Sequence, residues 1–262
     1  MSRPAAETRA LARTFLAQTL GAEGDSLLLE HATRDDVLAR LAAAGRPSPA
    51  ARPLAPDGAA GLEVTDARIA EAADLRTLAQ LVAECSRCPL HGTRKNPVFG
   101  EGAADARVVC VGEAPGARED ETGRPFVGRA GRLLDQLLSS IGLPRASVYI
   151  CNVLKSRPPR NRDPLPQEVA ACAPYLERQL ALIQPEVIVA FGAFAARTLL
   201  ETKSALGRLR GRVHRYAGYP VVVTYHPAAL LRNPGWIRPS WEDLQVVRRM
   251  LDGVGEGEAR VG

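Results

Sequence analysis

The sequence predicts an α/β protein of three layers, with helices on both faces of a central, mostly parallel, four-stranded sheet. Two observations predict it: short β-branched apolar runs alternate along the chain with longer segments, and the longer segments repeat their apolar residues at helical spacing. Parallel strands need long crossover connections, which helices usually supply. The predicted strands are 107–111, 147–154, 186–191 and 220–224, and the predicted helices are 129–141, 166–183, 193–201 and 239–252.

Composition divides the chain of 262 residues into an extension, a linker and a main domain. Residues 1–45 are predicted to be a helical extension, and 46–65 a linker rich in Pro, Ala and Gly. The α/β domain is predicted over 66–255, and a flexible tail over 256–262. The first 60 residues carry no recognisable chemistry, so solubility, tethering and binding of a protein partner all stay open for them.

Composition also limits the class of protein. The hydrophobic fraction of 46% supports a substantial core, and the net charge of +5 is a mild indication of a polyanionic partner or simply of an Arg-rich surface. No apolar run approaches the ~20 residues of a membrane span, and no N-terminal segment resembles a signal peptide. The five cysteines are an odd number, which favours a reducing compartment. We therefore expect a cytoplasmic monomer that does not enter a membrane.

The loop after the first predicted strand is the most informative segment. Four apolar residues, 108–111, stop at Gly-Glu-Ala-Pro-Gly, 112–116, and the next helix begins only at 129. Open α/β sheets bind ligands beyond the carboxyl ends of their strands, where this loop lies. The loop carries Glu113, Glu119 and the aromatic Phe126. This mixture suits a polar ring held against an apolar face better than a pyrophosphate, because acids rather than backbone amides crowd the turn.

Two further strand ends carry polar side chains. Asn152 ends the second strand and offers both an amide donor and an acceptor, although Asn is also a common turn residue. The Arg- and Pro-rich loop after it, 155–164, is typical either of a phosphate-contacting segment or of an ordinary solvated loop. His226 ends a late strand and is followed by Leu-Leu-Arg at 230–232, which favours a site residue over a structural histidine.

Cysteine spacing indicates a metal site. A helix predicted from Asp66, its expected N-cap, leads into Cys85-x2-Cys88, a pair typical of metal ligands but also of redox chemistry. Cys172 is a candidate third thiolate, whereas Cys110, inside the first strand, is expected to be a core residue.

Taken in order, these motifs resemble a family 4 uracil-DNA glycosylase, the iron–sulfur branch of the uracil glycosylase superfamily. The resemblance runs from about Leu81 to Leu251 and leaves residues 1–80 outside it. The matching segments are 112–116 with Glu119 and Asp120, 122–128, the Lys-x-Arg-Pro-Pro-x-Asn-Arg loop from Lys155, and His226-Pro-Ala with 230–234.

The resemblance implies a monofunctional enzyme that flips uracil out of single- or double-stranded DNA and hydrolyses its N-glycosidic bond, as base excision repair requires. Phe126 would stack on the flipped base, and Asn152 would pair with O4 and N3–H and so reject cytosine. His226 would donate a hydrogen bond to O2, where negative charge builds as the bond breaks.

The remaining implied roles concern water, specificity and DNA. Glu113 would orient or deprotonate the attacking water. The Ala114 main chain would bond to the base, and Glu119 would crowd C5 and exclude the methyl group of thymine. Leu230 and Leu231 would be wedges for the gap that the flipped base leaves. The expected phosphate contacts are Arg157, Arg160, Arg162 and Arg232.

The family holds a [4Fe–4S] cluster with four cysteines, and one of those positions is Ser156 here. We expect Cys85, Cys88 and Cys172 to be ligands and Cys151 to complete the set, because a soft iron site prefers thiolate to a hydroxyl. Ligation by the Ser156 oxygen, and an incomplete or absent cluster, are the alternatives.

Two rival functions stay open. A related branch cross-links to the abasic sugar through a His in an inserted Arg/Lys-rich loop, but residues 160–163 contain neither a His nor an insertion. A non-catalytic nucleic-acid-binding protein of the same fold is favoured only by Ser156. A glycosylase with broader specificity for deaminated bases is also compatible with the sequence.

Overall fold

A six-stranded sheet organises residues 64–253, the part of the chain that the computed structural model describes. Its spatial order is β1-β3-β2-β4-β6-β5, in which β3, β2, β4 and β6 run parallel while β1 and β5 are antiparallel edges. The strands are β1 Glu101–Gly102, β2 Val108–Gly112, β3 Tyr149–Asn152, β4 Val187–Phe191, β5 Val213–Tyr216 and β6 Tyr219–Thr224.

The predicted α/β class and its four parallel strands are confirmed, but the predicted strand count is too low by the two edges. β1 has only two residues, too few for any alternating pattern. β5 pairs with β6 through a two-residue turn in which Ala217 has φ 49° and Gly218 has φ 87°. Such a turn is normally signalled by Asn-Gly or Gly-Gly, and Ala217 conceals it.

Helices cover both faces of the sheet, and the predicted helices of the α/β domain are found with ends shifted by a few residues. The helices are α1 Asp66–Glu71, α2 Leu75–Glu84, α3 Ala117–Thr122, α4 Arg129–Ser139, α5 Pro166–Ile183, α6 Ala193–Leu199, α7 Leu206–Leu209, α8 Pro227–Arg232 and α9 Ile237–Leu251. Among residues 64–253, no helix has both the length and the apolar character needed to cross a membrane. The predictions for residues 1–45, for most of the linker and for 256–262 lie outside the described residues.

The single helix predicted from Asp66 to Cys85 is in fact two helices. Thr65, not Asp66, caps α1, since its Oγ1 accepts the N–H of Arg68 at 3.4 Å. Asp74 interrupts the segment and caps α2, accepting the N–H of Thr77 at 2.7 Å. A carboxylate that satisfies an otherwise free helical N–H stabilises the new start, and helical periodicity alone does not reveal it.

The central strands β2, β3 and β4 are buried on both faces, as parallel strands between two helical layers must be. On β2, Val109 and Val111 pack with α5 and α6, whereas Val108 and Cys110 pack with α4 and α9. Each fully buried aliphatic side chain contributes roughly 1.5–3 kcal/mol. Cys110 is 0% exposed, which confirms its prediction as a core residue.

One close contact makes the position of α4 depend on a glycine. A Cβ on Gly131 would overlap the carbonyl oxygen of Phe126, so α4 can approach the preceding loop only without a side chain there. Gly131→Ala should therefore lower the free energy of unfolding by roughly 1–3 kcal/mol, as overpacking does. Gly207→Ala on α7, where a Cβ meets nothing within 4 Å, is the matched control. Equal denaturation midpoints for the two variants would contradict the prediction.

Candidate active site

The carboxyl ends of the four parallel strands bring the predicted site residues to one edge of the sheet. Gly112 on β2 pairs with Asn152 on β3, and Phe191 on β4 pairs with Thr224 on β6. Glu113 follows β2 directly, and His226 lies two residues after the end of β6. Segments separated by more than 100 positions therefore meet because the strands end in register.

Gly112 forms the floor of the site. A Cβ there would touch Asn152 Oδ1 and lie 2.6 Å from Phe126 Cζ, so both side chains fold over this glycine. The Phe126 ring lies 5.5 Å from the His226 imidazole, at an interplanar angle of 29°. Phe126, Asn152 and His226 are thus neighbours, as the sequence predicts.

Phe126 adopts a left-handed backbone conformation, φ 51°, that is unfavourable for a bulky residue. Arg145 holds it there by donating to the Phe126 carbonyl at 3.2 Å and to the Pro125 carbonyl at 2.6 Å. Glu101 on β1 pairs with the same guanidinium at 2.6 Å. Sequence analysis missed both residues, because no local pattern links positions 44 apart.

Glu119 secures the same loop from the other side. Its Oε1 accepts the N–H of Val127 at 2.9 Å and of Gly128 at 3.1 Å. A Cβ on Gly116 would lie 2.7 Å from Glu119 Oε2, so the carboxylate also depends on the glycine in that turn. Its expected role at C5 of the base stays a prediction.

His226 is a neutral hydrogen-bond donor. Its Nδ1 accepts the N–H of Ala228 at 3.1 Å at the start of α8, which leaves the proton on Nε2. Burial, helped by the nearby charge of Arg232, lowers the pKa of His226 to about 4. The imidazole therefore stays uncharged at neutral pH and keeps one N–H free for a ligand.

Glu113 lies partly buried at the end of β2. Burial raises the pKa of its carboxyl group, and the neighbouring charge of Asp163 raises it further. Its main-chain carbonyl accepts the N–H of Leu154 at 3.0 Å, which ties the turn to the segment after β3. Ala114, next in the chain, packs partly buried against the core.

The predicted DNA contacts divide into exposed and structural residues. Arg160 and Arg232 are exposed, and the Arg157 guanidinium donates to Asn161 at 2.7 Å. Arg162, by contrast, pairs at 2.6 Å with Glu168, whose side chain is only 1% exposed. Arg162 therefore neutralises a buried carboxylate.

The two predicted wedge residues have different environments. Leu230 is 0% exposed within the core, so its prediction as a wedge is wrong. Leu231 is 42% exposed on the same short helix, because neighbouring positions of a helix point in different directions.

An aromatic pair that sequence analysis missed lies beside α8. Tyr225 stacks on Trp236 at 4.6 Å with an interplanar angle of 13°, and the Arg210 guanidinium lies 4.3 Å from the Tyr225 ring. Trp236 is 40% exposed. The signal was available, since a Tyr and a Trp flank His226 in a chain with only 5% aromatic residues.

Three of the cysteines surround one small pocket. Its lining includes Cys85, Cys88 and Cys172 together with Ser156. Cys151 is not among the lining residues and is 0% exposed in the core, so the expectation that it completes the ligand set is wrong. The pocket lies beside the segment that follows β3, whereas Cys151 points from within the strand into the core.

The polar groups of this pocket suit a sulfur-rich anion. Arg87 lines the pocket, and its buried Nη1 has no hydrogen-bond partner in the part of the chain that the structure describes. Burial raises the pKa of the Cys172 thiol to about 11, although a hydrogen bond from the Lys155 backbone N–H acts to lower it. Within residues 64–253, no group of three or more His, Cys, Asp or Glu is arranged to hold a metal ion. The possible ligands in the lining are three thiols, the Ser156 hydroxyl, the His91 imidazole and the Tyr175 phenol.

Comparison with known proteins agrees with this geometry. The profile described as Uracil DNA glycosylase superfamily matches residues 99–245, more than half of the chain. The chain belongs to this superfamily. A type-4 uracil-DNA glycosylase of Pyrobaculum aerophilum is 49% identical over 169 residues, 62% of this chain and 86% of that protein. A type-4 uracil-DNA glycosylase of Thermotoga maritima is 49% identical over 161 residues, which are 61% of this chain and 84% of that protein.

A type-5 uracil-DNA glycosylase of Pyrobaculum aerophilum is 35% identical over 156 residues, 53% of this chain and 69% of that protein. The higher identity to type-4 proteins, over more of their length, assigns this member of the superfamily to the type-4 group. The resemblance stated from the sequence is confirmed.

The raised pKa of Glu113 predicts a stability cost. Since the folded state holds this proton more tightly than the unfolded state, ionisation at neutral pH destabilises the fold. Glu113→Gln should therefore raise the free energy of unfolding at pH 7, and the gain should shrink as the pH falls through the folded and then the unfolded pKa. Denaturant titrations at pH 7 and pH 4 measure this.

Glu121→Gln is the control, because the Glu121 side chain is 48% exposed on α3 and its ion pair with Lys95 is long, 3.5 Å. A wild-type protein as stable as Glu113→Gln at pH 7 would show that the carboxylate carries no such cost.

Proposed function

We propose that this protein removes uracil from DNA by hydrolysing the N-glycosidic bond and leaves an abasic site. One observation carries the proposal: Glu113, Phe126, Asn152 and His226 lie together at the carboxyl edge of the sheet, where this fold class binds its ligands. The relatives named uracil-DNA glycosylases support it.

Recognition of the base rests on one flat apolar group and one amide. The Phe126 ring supports the flipped base, a stacking contact of about 1–3 kcal/mol. The Asn152 amide, 2% exposed, donates to O4 and accepts from N3–H of uracil. Cytosine presents a donor and an acceptor in place of these groups and leaves the buried amide unpaired. Lys155 Nζ, bonded to the Asn152 carbonyl at 2.8 Å, holds this residue in place.

His226 stabilises the leaving uracil anion. As the glycosidic bond breaks, negative charge develops on O2, and the free Nε2–H donates to it. A donor fixed in advance within a partly dry site contributes about 3–4 kcal/mol to the transition state. Because burial keeps the imidazole neutral at neutral pH, the bond is one from an uncharged N–H, and Nδ1 stays available to accept from Ala228.

Glu113 activates the attacking water molecule. Its carboxylate has no hydrogen-bond partner among the described residues and is available to orient a water molecule toward C1′ or take its proton. The raised pKa makes the Glu113 carboxylate a stronger base than the carboxylate of an exposed glutamate. Glu119, anchored to two backbone N–H groups, is the rigid wall that excludes the methyl group of thymine, and the Ala114 main chain adds a bond to the base.

DNA binding uses the exposed groups around this edge. Leu231 fills the gap left in the base stack, and Arg232, Arg157 and Arg160 contact phosphates. Trp236 offers a further apolar surface for the strand. We place the protein in the cytoplasm as a monomer, with residues 66–255 as the catalytic domain.

The cysteine pocket is the place for an iron–sulfur cluster, with Cys85, Cys88 and Cys172 as thiolate ligands. When bound, such a cluster would link two segments, the end of α2 through Cys85 and Cys88 and helix α5 through Cys172. It would also give Arg87 Nη1 an acceptor, which that nitrogen lacks among the described residues.

The direct test is release of uracil from a labelled oligonucleotide, followed by alkaline cleavage of the abasic site. Glu113→Gln should lower the single-turnover rate by about 10²-fold or more, because activation of the water is lost. Oligonucleotides with thymine or cytosine at the same position should stay intact. Glu121→Gln should retain the wild-type rate. A Glu113→Gln protein that cleaves as fast as wild type would overturn the mechanism.

The wedge predicts a difference between DNA forms. Leu231→Ala should lower kcat/KM for uracil in a duplex by about tenfold but leave single-stranded DNA nearly unaffected, since only the duplex has a stack to refill. Leu165→Ala, at a leucine of similar exposure, 40%, is the matched control. An equal loss on both DNA forms would assign Leu231 to general DNA contact.

A further inference from the structure

One serine lies among the cysteines of the pocket lined by Cys85, Cys88 and Cys172, which we call the cysteine pocket. This serine, Ser156, is 3% exposed. A serine hydroxyl so deeply placed among three thiols is the feature that the proposed glycosylase mechanism does not use.

The hydrogen bonds of Ser156 leave its proton free. Its Oγ accepts from Arg94 Nη1 at 3.0 Å, and among the described residues no acceptor receives the hydroxyl proton. The Arg94 guanidinium is itself fixed, since Nη2 donates to the carbonyls of Ala83 at 3.0 Å and Val82 at 3.4 Å. Loss of the Ser156 proton therefore breaks no protein hydrogen bond, and the resulting oxyanion already faces a fixed cation.

A second group points to an anion in the same place. Arg87 pairs with Asp66 through Nη2, but its Nη1 is buried without a partner in the pocket lining. Two guanidinium groups thus border a pocket that is also lined by three thiols and the Ser156 hydroxyl. The other polar groups of the lining already have partners: His91 Nδ1 bonds to the Cys88 carbonyl, Lys155 Nζ to Gln179, and the Tyr175 hydroxyl to the Leu81 carbonyl. A buried donor without an acceptor destabilises the fold, and a sulfide-rich anion would satisfy it.

We propose that Ser156 is the fourth protein ligand of the iron–sulfur cluster and binds one iron through its alkoxide oxygen, with Arg94 stabilising that oxygen. This rests on the cofactor given under the proposed function. On binding, the Oγ–H bond breaks, an Fe–O bond forms, and the proton passes to solvent. The oxidation state of the iron does not change.

The positions of the two residues make Ser156 a better candidate for the fourth ligand than Cys151. Cys151 is fully buried in the core and does not line the pocket, so its ligation would require β3 to move. Ser156 already lies in the lining. Since oxygen is a harder donor than sulfur, the iron it holds differs electronically from the three thiolate-bound irons.

The experiment compares wild type, Ser156→Cys, Ser156→Ala and Cys151→Ala after anaerobic reconstitution with iron-57 and sulfide. Iron and sulfide are counted per folded chain, and Mössbauer spectra are recorded, with circular dichroism as the check on folding. We expect a distinct iron site in wild type that Ser156→Cys converts to the type of the other three. Ser156→Ala should retain less iron than wild type, whereas Cys151→Ala should retain the wild-type amount.

Several results would overturn the proposal. These are a wild-type spectrum identical to that of Ser156→Cys, unchanged iron in Ser156→Ala, or loss of iron in Cys151→Ala. If wild type and Ser156→Cys both take up no iron, the cofactor itself is wrong. Uracil release by the same samples then shows separately whether the glycosylase assignment stands.

Discussion

The in-register ending of four parallel strands is the constraint on which the site depends. Gly112 faces Asn152 across one pair of strands and Phe191 faces Thr224 across another, so each strand delivers its next residue to the same edge. A shift of one residue in β3 would turn Asn152 away from the pocket, because side chains alternate between the two faces of a sheet. The two layers of helices fix this register by burying both faces of every central strand.

Burial acts in opposite directions on the two central ionisable groups, and both effects suit the chemistry. It lowers the pKa of His226 and keeps the imidazole neutral, and it raises the pKa of Glu113 and makes the carboxylate more basic. The strained Phe126 loop is kept in place by Arg145 and Glu119 rather than by its own conformational preference. The reacting groups are thus positioned at a cost to stability that the rest of the fold must offset.

The sequence predicts the parallel sheet and most of the pocket, because apolar periodicity and strand ends are local signals. Glu113, Asn152 and His226 were recognisable for that reason. The role of Arg145 was not recognisable, because its partners lie on other segments of the chain. The burial of Leu230 and the exposure of Leu231 depend on which side of α8 packs against α4, which the sequence does not specify. The expectation for Cys151 failed similarly: preference for sulfur selected this residue, but it lies outside the pocket that Cys85, Cys88, Cys172 and Ser156 line.

The five residues from Asn152 to Ser156 serve two pockets at once. Asn152 lies over Gly112 at the proposed base site, and Ser156 lines the cysteine pocket. Lys155 between them bonds through Nζ to the Asn152 carbonyl and through its N–H to Cys172. Occupancy of either pocket restricts the same short stretch of backbone. Thermodynamic linkage is reciprocal, so if the proposed base and cofactor both order this segment, each would strengthen the binding of the other by the same factor.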